Sequence, residues 1–199
     1  RHSPKTDLIF TSIEFPAQSA NDTNEVEKKH IDLLLSILCG PMSSRLVKRL
    51  REEENLLYGI DTDQSAMETF GLTSVYYDIP VNNFEKAFTI TIEELEKFCE
   101  KGTNKKELDH YKEYFTNRYL VNYDNVFSFS KLFRSSLFWE KKPMDLEETI
   151  KVVRESTPKD INKMIPKFIN MKSVNAFGFG NVNEKTEEII KKRLENFIK

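Results

Sequence analysis

The chain has 199 residues, and 30 lysines and arginines nearly balance 32 aspartates and glutamates, so its formal net charge is −2. This balance disfavours nucleic-acid binding, which needs a basic excess. No apolar run approaches the ~18 residues that a membrane-spanning helix requires. Fifteen phenylalanines and seven tyrosines are enough for a large core. We therefore expect a globular protein that binds neither nucleic acid nor membranes.

The sequence predicts one domain over residues 1–199, because no internal repeat or glycine-rich linker divides it. It opens with Arg1 rather than Met, which we interpret as a piece of a longer protein. Its two cysteines, Cys39 and Cys99, lie in apolar helical patterns and are expected to be buried, reduced thiols. We expect a cytoplasmic location, and an organellar or secreted one stays open because the N-terminus is missing.

The first sixty residues predict a strand followed by two helices. Residues 6–15 mix β-branched and aromatic side chains, as strands do. The apolar positions Ile31, Leu34 and Leu38 then recur at helical spacing. A second helix is predicted over residues 44–54, and a short strand over residues 56–61.

The remainder predicts helices in pairs and two further strands. Residues 70–79 read as a strand with apolar side chains on both faces. A helix follows from residue 84 and ends at Gly102, and a long helix from residue 105 breaks near residues 122–125. The aromatic-rich residues 126–139 are expected to be helical, either in the core or against a neighbouring domain. Helix starts near residues 146 and 158, a strand over 173–179 and a helix over 184–198 complete an α+β pattern.

Residue types for catalysis are scarce. Catalytic zinc needs three protein ligands, yet no two of the three histidines, His2, His30 and His110, are four residues apart. Tyr114 stands where a second histidine would follow His110 on a helix face. We expect His30 on a helix surface or in an N-terminal turn, and we expect no metal, cofactor or catalytic residue in this chain.

Two side chains nonetheless suit peptide binding. Arg51 offers five donors in a fixed fork, and Tyr58, seven residues later, offers a phenol on a rigid arm. Together they are able to hold the carbonyl groups or the carboxylate of a peptide. The alternative is that Arg51 pairs with Glu54 or another neighbour while Tyr58 packs in the sheet.

The segment before them is a helix stop and restart. Gly40 is suited to the left-handed conformation that ends a helix, and Pro41 does not continue one. Ser43 or Ser44 is expected to cap the next helix.

This order resembles a recurrent segment of the pitrilysin/insulinase family of zinc metallopeptidases, which includes the mitochondrial processing peptidase. The chain looks like the second, zinc-free domain of such a protein. Cys39 and Leu57 depart from the family pattern, and Glu53 to Asn55 stand where a glycine is common. The matching residues are Gly40, Ser43, Ser44, Arg45, Leu46, Leu50, Arg51, Glu52 and Tyr58.

The resemblance implies a fold and a role. The fold would be a mostly antiparallel mixed β-sheet covered on one side by several helices. The domain would be inactive alone and would bind a peptide substrate through Arg51 and Tyr58. Zinc would sit in a companion domain, in the same chain or in a partner subunit. The alternatives are a zinc-less family member that acts as a partner or assembly subunit, and an unrelated α+β interaction module.

Overall fold

Four antiparallel strands form one sheet, in the order β2–β3–β1–β4. The computed structural model describes residues 7–139 and 142–197. Strand β1 is central: Ile13 lies opposite Val75 of β3 on one side and opposite Ala176 of β4 on the other. The strands are β1 (Leu8–Ala17), β2 (Ile60–Ala66), β3 (Gly71–Pro80) and β4 (Asn175–Gly180).

The helices begin at recognisable caps. The side chain of Asn24 accepts a hydrogen bond from the backbone N–H of Glu27, and the side chain of Glu27 accepts one from the backbone N–H of Asn24. Thr157 and Asp160 form a second capping box of this kind. A π-helical stretch, Lys48–Glu53, continues α2 directly. The helices are α1 (Glu25–Leu38), α2 (Arg45–Val47), α3 (Phe84–Lys101), α4 (Lys105–Asp124), α5 (Val126–Trp139), α6 (Leu146–Glu155), α7 (Pro158–Asn162), α8 (Ile165–Phe168) and α9 (Glu184–Leu194).

The core lies against one face of the sheet. Alternate residues of the strands, such as Ile9, Ile13 and Val75, are fully buried beneath the helices. The apolar stripes of α1 and α3 complete this layer, with Leu34 and Phe88 fully buried. Burying one such side chain stabilises the fold by about 1.5–3 kcal/mol. The expected α+β architecture, with helices on one side of the sheet, is confirmed.

Two predicted strands differ from the structure. Strand β2 begins at Ile60 rather than at residue 56, because Leu56 and Leu57 are buried in a turn and do not pair. The polar sequence of β2 forms a strand because it pairs with β3 over seven residues. One face of β3 is only partly buried, although the sequence predicted apolar side chains on both faces.

The aromatic-rich α5 is largely on the surface, since Phe127 is 88% exposed. Burial in the core therefore does not explain the aromatic-rich sequence of α5. The predicted strand start at residue 6 and the predicted helix end at residue 198 lie outside the described residues. Within the described part of the chain, no helix has the length and hydropathy needed to cross a bilayer.

Candidate functional site

The turn between α1 and α2 is built on close packing rather than on a left-handed glycine. Gly40 does not have a positive φ, contrary to the prediction. A Cβ atom at Gly40 would lie 3.1 Å from the backbone of Ser36, so a larger residue would crowd the end of α1. Ser44 is the N-cap of α2 by position, yet its hydroxyl accepts a bond from the Gly40 N–H at 3.0 Å and not from the helix. Ser44 therefore fixes the turn, and its predicted capping bond is not formed.

Arg51 lies in the π-helical stretch, whose turns are wider than those of an α-helix. The stretch ends where the N–H of Glu54 donates to the carbonyl of Arg49 and the N–H of Leu56 donates to the carbonyl of Leu50. Asn55 has a φ of +49°, the left-handed conformation that ends many helices. Asn55 thus takes the backbone role of the glycine that often stands in this part of the family segment.

The chain after this turn is tied to the start of α3. The carboxylate of Glu54 bridges Arg49 and Lys86, and these two partners lower the pKa of Glu54, with the Lys86 bond contributing most. The side chain of Asn83 donates to the carbonyl of Leu56 at 3.1 Å. These contacts set the position from which Tyr58 projects.

The structure brings Arg51 and Tyr58 together at the surface. The guanidinium carbon of Arg51 lies 5.0 Å from the centre of the Tyr58 ring, within the range of a cation–π contact. Tyr58 is 86% exposed and precedes β2, so it does not pack in the sheet. The Nε atom of Arg51 forms an ion pair of 3.5 Å with the carboxylate of its neighbour Glu52, as the alternative for Arg51 predicted, whereas Glu54 pairs with other cations. The result is a partly buried guanidinium, 35% exposed over its side chain, beside a phenol that is open to solvent.

Arg45 attaches the helix that leads to Arg51. Its guanidinium donates two bonds of 2.7 Å to the carboxylate of Glu107 and one of 2.7 Å to the carbonyl of Gly102. It also stacks 4.8 Å from the centre of the Phe98 ring. Burial raises the pKa of Glu107, but the bonds from Arg45 and Thr103 outweigh burial, so the net shift is downward. Arg45 matches the family segment, but this role was not predicted, because Glu107 lies 62 residues further along the chain.

His30 and His110 do not form a metal site. Within residues 7–139 and 142–197, no three histidine, cysteine, aspartate or glutamate side chains are grouped to hold a metal ion. His110 lies 3.1 Å from the hydroxyl of Ser43. The predicted surface position of His30 is wrong, because it is 5% exposed within α1. Burial lowers the pKa of His30. His2 lies outside the described residues.

The two cysteines are free. The thiol of Cys39 is buried and donates to the carbonyl of Ile60, and burial raises its pKa to about 12. Cys99 is only partly buried, and burial raises the pKa of its thiol to about 11. Neither thiol has the lowered pKa of a nucleophile.

Comparison with known proteins identifies the family. A family model described as the inactive domain of peptidase M16 matches residues 3–115, more than half of the chain. The chain belongs to the M16 peptidase family. This is the pitrilysin-like family that the segment from Gly40 to Tyr58 resembles, and the match is to its inactive C-terminal domain. No curated protein sequence matches the chain.

Several solved structures share the fold at low sequence identity. The M16 inactive domain from Pseudomonas fluorescens superposes with a TM-score of 0.74 at 17% identity, over 89% of this chain and 42% of that one. A protease from Helicobacter pylori gives a TM-score of 0.76 at 14% identity, again over 89% and 42%. A chain of complex III2 from Candida albicans gives 0.77 at 10% identity, over 98% and 48%. The M16 chain thus spans less than half the length of these three relatives.

Proposed function

We propose that this M16 domain is the substrate-positioning, non-catalytic domain of a zinc metallopeptidase that cleaves peptides inside a closed chamber. The observation that supports it is the pair of a partly exposed Arg51 and a highly exposed Tyr58, with 5.0 Å between the guanidinium carbon and the ring centre, on a braced turn. The phenol of Tyr58 has little structural use at this position, because it buries little apolar area. They are well placed to bind a ligand that approaches from outside.

The residues that the structure describes do not fit a zinc site. The nearest sequence to an inverted zinc motif offers His110 but has Tyr114 at the second position. His110 points to Ser43, and no grouped ligands accompany it among the described residues. We therefore infer that zinc belongs to a companion domain, in the same polypeptide or in a partner subunit, and that this domain alone does not cleave peptides.

Arg51 and Tyr58 would act by holding the peptide backbone. The guanidinium donates to a peptide carbonyl or to a terminal carboxylate, and the phenol donates one further bond. A hydrogen bond from a charged donor contributes about 1.5–3 kcal/mol, which is a factor of roughly 10–100 in affinity or rate. The cation–π contact fixes the guanidinium before the peptide arrives, so less side-chain entropy is lost on binding.

The test is peptide cleavage by the complete protein with substitutions at the two positions. We expect Arg51→Gln to lower kcat/KM by about 10- to 100-fold and Tyr58→Phe by about five-fold, with folding and zinc content unchanged. The matched control is Arg118→Gln with Tyr123→Phe, two exposed side chains of α4 that should leave cleavage unchanged. Cleavage by Arg51→Gln at the rate of the natural protein would remove the basis of the proposal.

A second candidate is that the parent protein lacks zinc and serves as an assembly subunit. The similarity to a chain of the Candida albicans complex III2 assembly favours it, because that match covers almost the whole domain. The two candidates differ in the companion domain. An H-x-x-E-H sequence and one equivalent of zinc in the complete protein would support the peptidase, and the absence of both would support the subunit.

The domain boundaries and the compartment are also proposals. We propose that residues 1–199 form one domain and that the protein works in the cytoplasm. Two cysteines that form no disulfide are consistent with a reducing compartment. Cell fractionation of the complete protein tests the location directly.

A further inference from the structure

Asn162, the last residue of α7, attaches that short helix to the turn between α3 and α4. Its side-chain oxygen accepts a hydrogen bond of 2.8 Å from the N–H of Thr103, and its side-chain nitrogen donates one of 3.0 Å to the carbonyl of the same residue. Because the two bonds have opposite directions, exchanging the oxygen and nitrogen of the amide would break both of them. One side chain therefore fixes the backbone of this turn.

The turn packs closely on Asn162. Gly102, which ends α3, has a φ of +60° and a ψ of −159°, a backbone conformation that is essentially restricted to glycine. A Cβ atom at Gly102 would lie 2.5 Å from the Cγ and Oδ1 atoms of Asn162, so the amide lies directly against the glycine backbone. The capping box at Thr157 and the fully buried Ile161 fix α7 in turn. The amide of Asn162 therefore has little freedom to move.

The same turn holds the guanidinium of Arg45. The carbonyl of Gly102 and the two carboxylate oxygens of Glu107 accept its three hydrogen bonds, each of 2.7 Å. Thr103 also orients Glu107, because its hydroxyl donates a bond of 2.7 Å to that carboxylate. A displacement of the turn would therefore move all the acceptors of these three bonds together.

Arg45 begins the helical stretch that carries Arg51. Helix α2 starts at Arg45, and the π-helical stretch continues it directly to Glu53, so Arg45 and Arg51 lie on one helical segment. A binding site has to be held within about 0.5 Å of its productive geometry, and a displacement of ~1 Å caused far from the reacting atoms can lower a rate about 100-fold. Small movements of the α3–α4 turn thus become movements of the Arg51 guanidinium.

We propose that Asn162 is a positioning residue for the site formed by Arg51 and Tyr58. Its amide holds the α3–α4 turn, the turn holds Arg45, and Arg45 holds the helical stretch that presents Arg51 to the peptide. Asn162 acts through Arg45 and not by contact with the peptide. This inference deepens the proposed peptide-positioning function and depends on it.

Peptide cleavage by the complete protein tests the inference through Asn162→Ala, which removes both bonds to Thr103. We expect kcat/KM to fall about ten-fold, mainly through a higher KM, because the peptide-binding groups are displaced while the zinc-bearing domain is intact. The matched control is Asn183→Ala, at the start of α9. The side-chain oxygen of Asn183 also accepts two bonds, from the N–H of Thr186 at 3.0 Å and from its hydroxyl at 3.1 Å. This control loses two bonds within one helix end and should cleave at the rate of the natural protein.

A double-mutant cycle separates positioning from a general loss of stability. If Asn162 acts through Arg51, Asn162→Ala should lower kcat/KM less than about two-fold in a protein that already carries Arg51→Gln. Thr103→Val is the milder second variant, because it breaks only the bond to Glu107, and it should lower kcat/KM about three-fold. Hydrogen exchange measures the coupling without cleavage. Exchange over residues 45–53 should become about ten-fold faster in Asn162→Ala and stay unchanged in Asn183→Ala.

The outcomes separate this inference from the proposed function. Cleavage by Asn162→Ala at the rate of the Asn183→Ala control, or an equal loss with and without Arg51→Gln, overturns the positioning role. If Arg51→Gln alone still impairs cleavage, the proposed function stands without the inference. If exchange over residues 45–53 rises in Asn162→Ala while Arg51→Gln cleaves normally, the turn holds the helical stretch, but the proposed function fails and the positioning role fails with it.

Discussion

Replacing Arg45 with methionine tests whether the ion pair with Glu107 supports the helix that leads to the candidate site. Methionine keeps the apolar stem of the side chain, but it removes the charge, all three hydrogen bonds and the stacking of the guanidinium on Phe98. The carboxylate of Glu107, only 20% exposed, would lose its cation, and the carbonyl of Gly102 would lose a donor. The perturbation is therefore confined to the contacts of the guanidinium.

The magnitude follows from the degree of burial. Removing one partner of a fully buried ion pair costs about 3–5 kcal/mol. Both side chains here retain about a fifth of their exposure, and Thr103 still donates to Glu107 at 2.7 Å. We therefore expect Arg45→Met to lower the free energy of unfolding by about 2–3 kcal/mol, which lowers Tm by roughly 5–10 °C in a domain of this size.

Thermal and urea unfolding followed by circular dichroism measure this effect. The double variant Arg45→Met with Glu107→Leu should be more stable than Arg45→Met alone, because no unpaired carboxylate remains. The pKa of Glu107 is lowered in the folded protein, so the pair contributes fully above the ordinary value of 4.5 and is lost as the pH falls through the folded value. A loss below about 0.5 kcal/mol, or a double variant as unstable as the two single losses added together, would refute the reasoning.

Two further predictions concern His30 and Asn55. Burial lowers the pKa of His30, so below its unfolded value of about 6.5 the unfolded chain takes up the proton more readily than the folded chain, and the free energy of unfolding should fall as the pH decreases. His30→Gln should lose this component in urea unfolding at pH 7.5 and 5.5, and an unchanged difference between the two pH values would contradict the assignment. Asn55→Gly should leave stability nearly unchanged, whereas Asn55→Val should cost about 1–2 kcal/mol because Val disfavours a positive φ. Equal thermal stability of the two Asn55 variants would show that the turn relaxes.

The sequence correctly predicted the helices and helix ends that depend on residues close together in the chain. The stripe of Phe84, Phe88 and Leu95 identified α3 because one helix face alone enters the core, and Gly102 ends that helix with a φ of +60°. The break near Asn125 also agrees with the structure. Such patterns depend on neighbours within one or two turns, which a single sequence contains.

Features that depend on distant partners were missed. Strand β2 has a polar sequence and exists because β3 pairs with it, so its position was predicted four residues too early. His30 is buried on α1, which packs against α7, far away in the sequence. The open face of the sheet, which carries Phe10, Phe179 and Asp78 side by side, became visible only when the register aligned the strands. The sequence contains one signal of the charge on this face, because no basic residue occurs in the predicted strands at residues 56–61, 70–79 and 173–179.

The contacts that hold the turn reduce the backbone entropy that would be lost when a ligand binds. Residues 54 and 56 are attached to α3, and Ile60 and Thr62 are attached to Cys39 at the end of α1. Tyr58 therefore projects from a short span anchored at both ends. Ordering a free backbone residue costs about 1–2 kcal/mol, and a mobile loop would lose that amount several times over on meeting a ligand. A span anchored in this way has already lost that freedom during folding, so even a weakly bonded ligand can be retained.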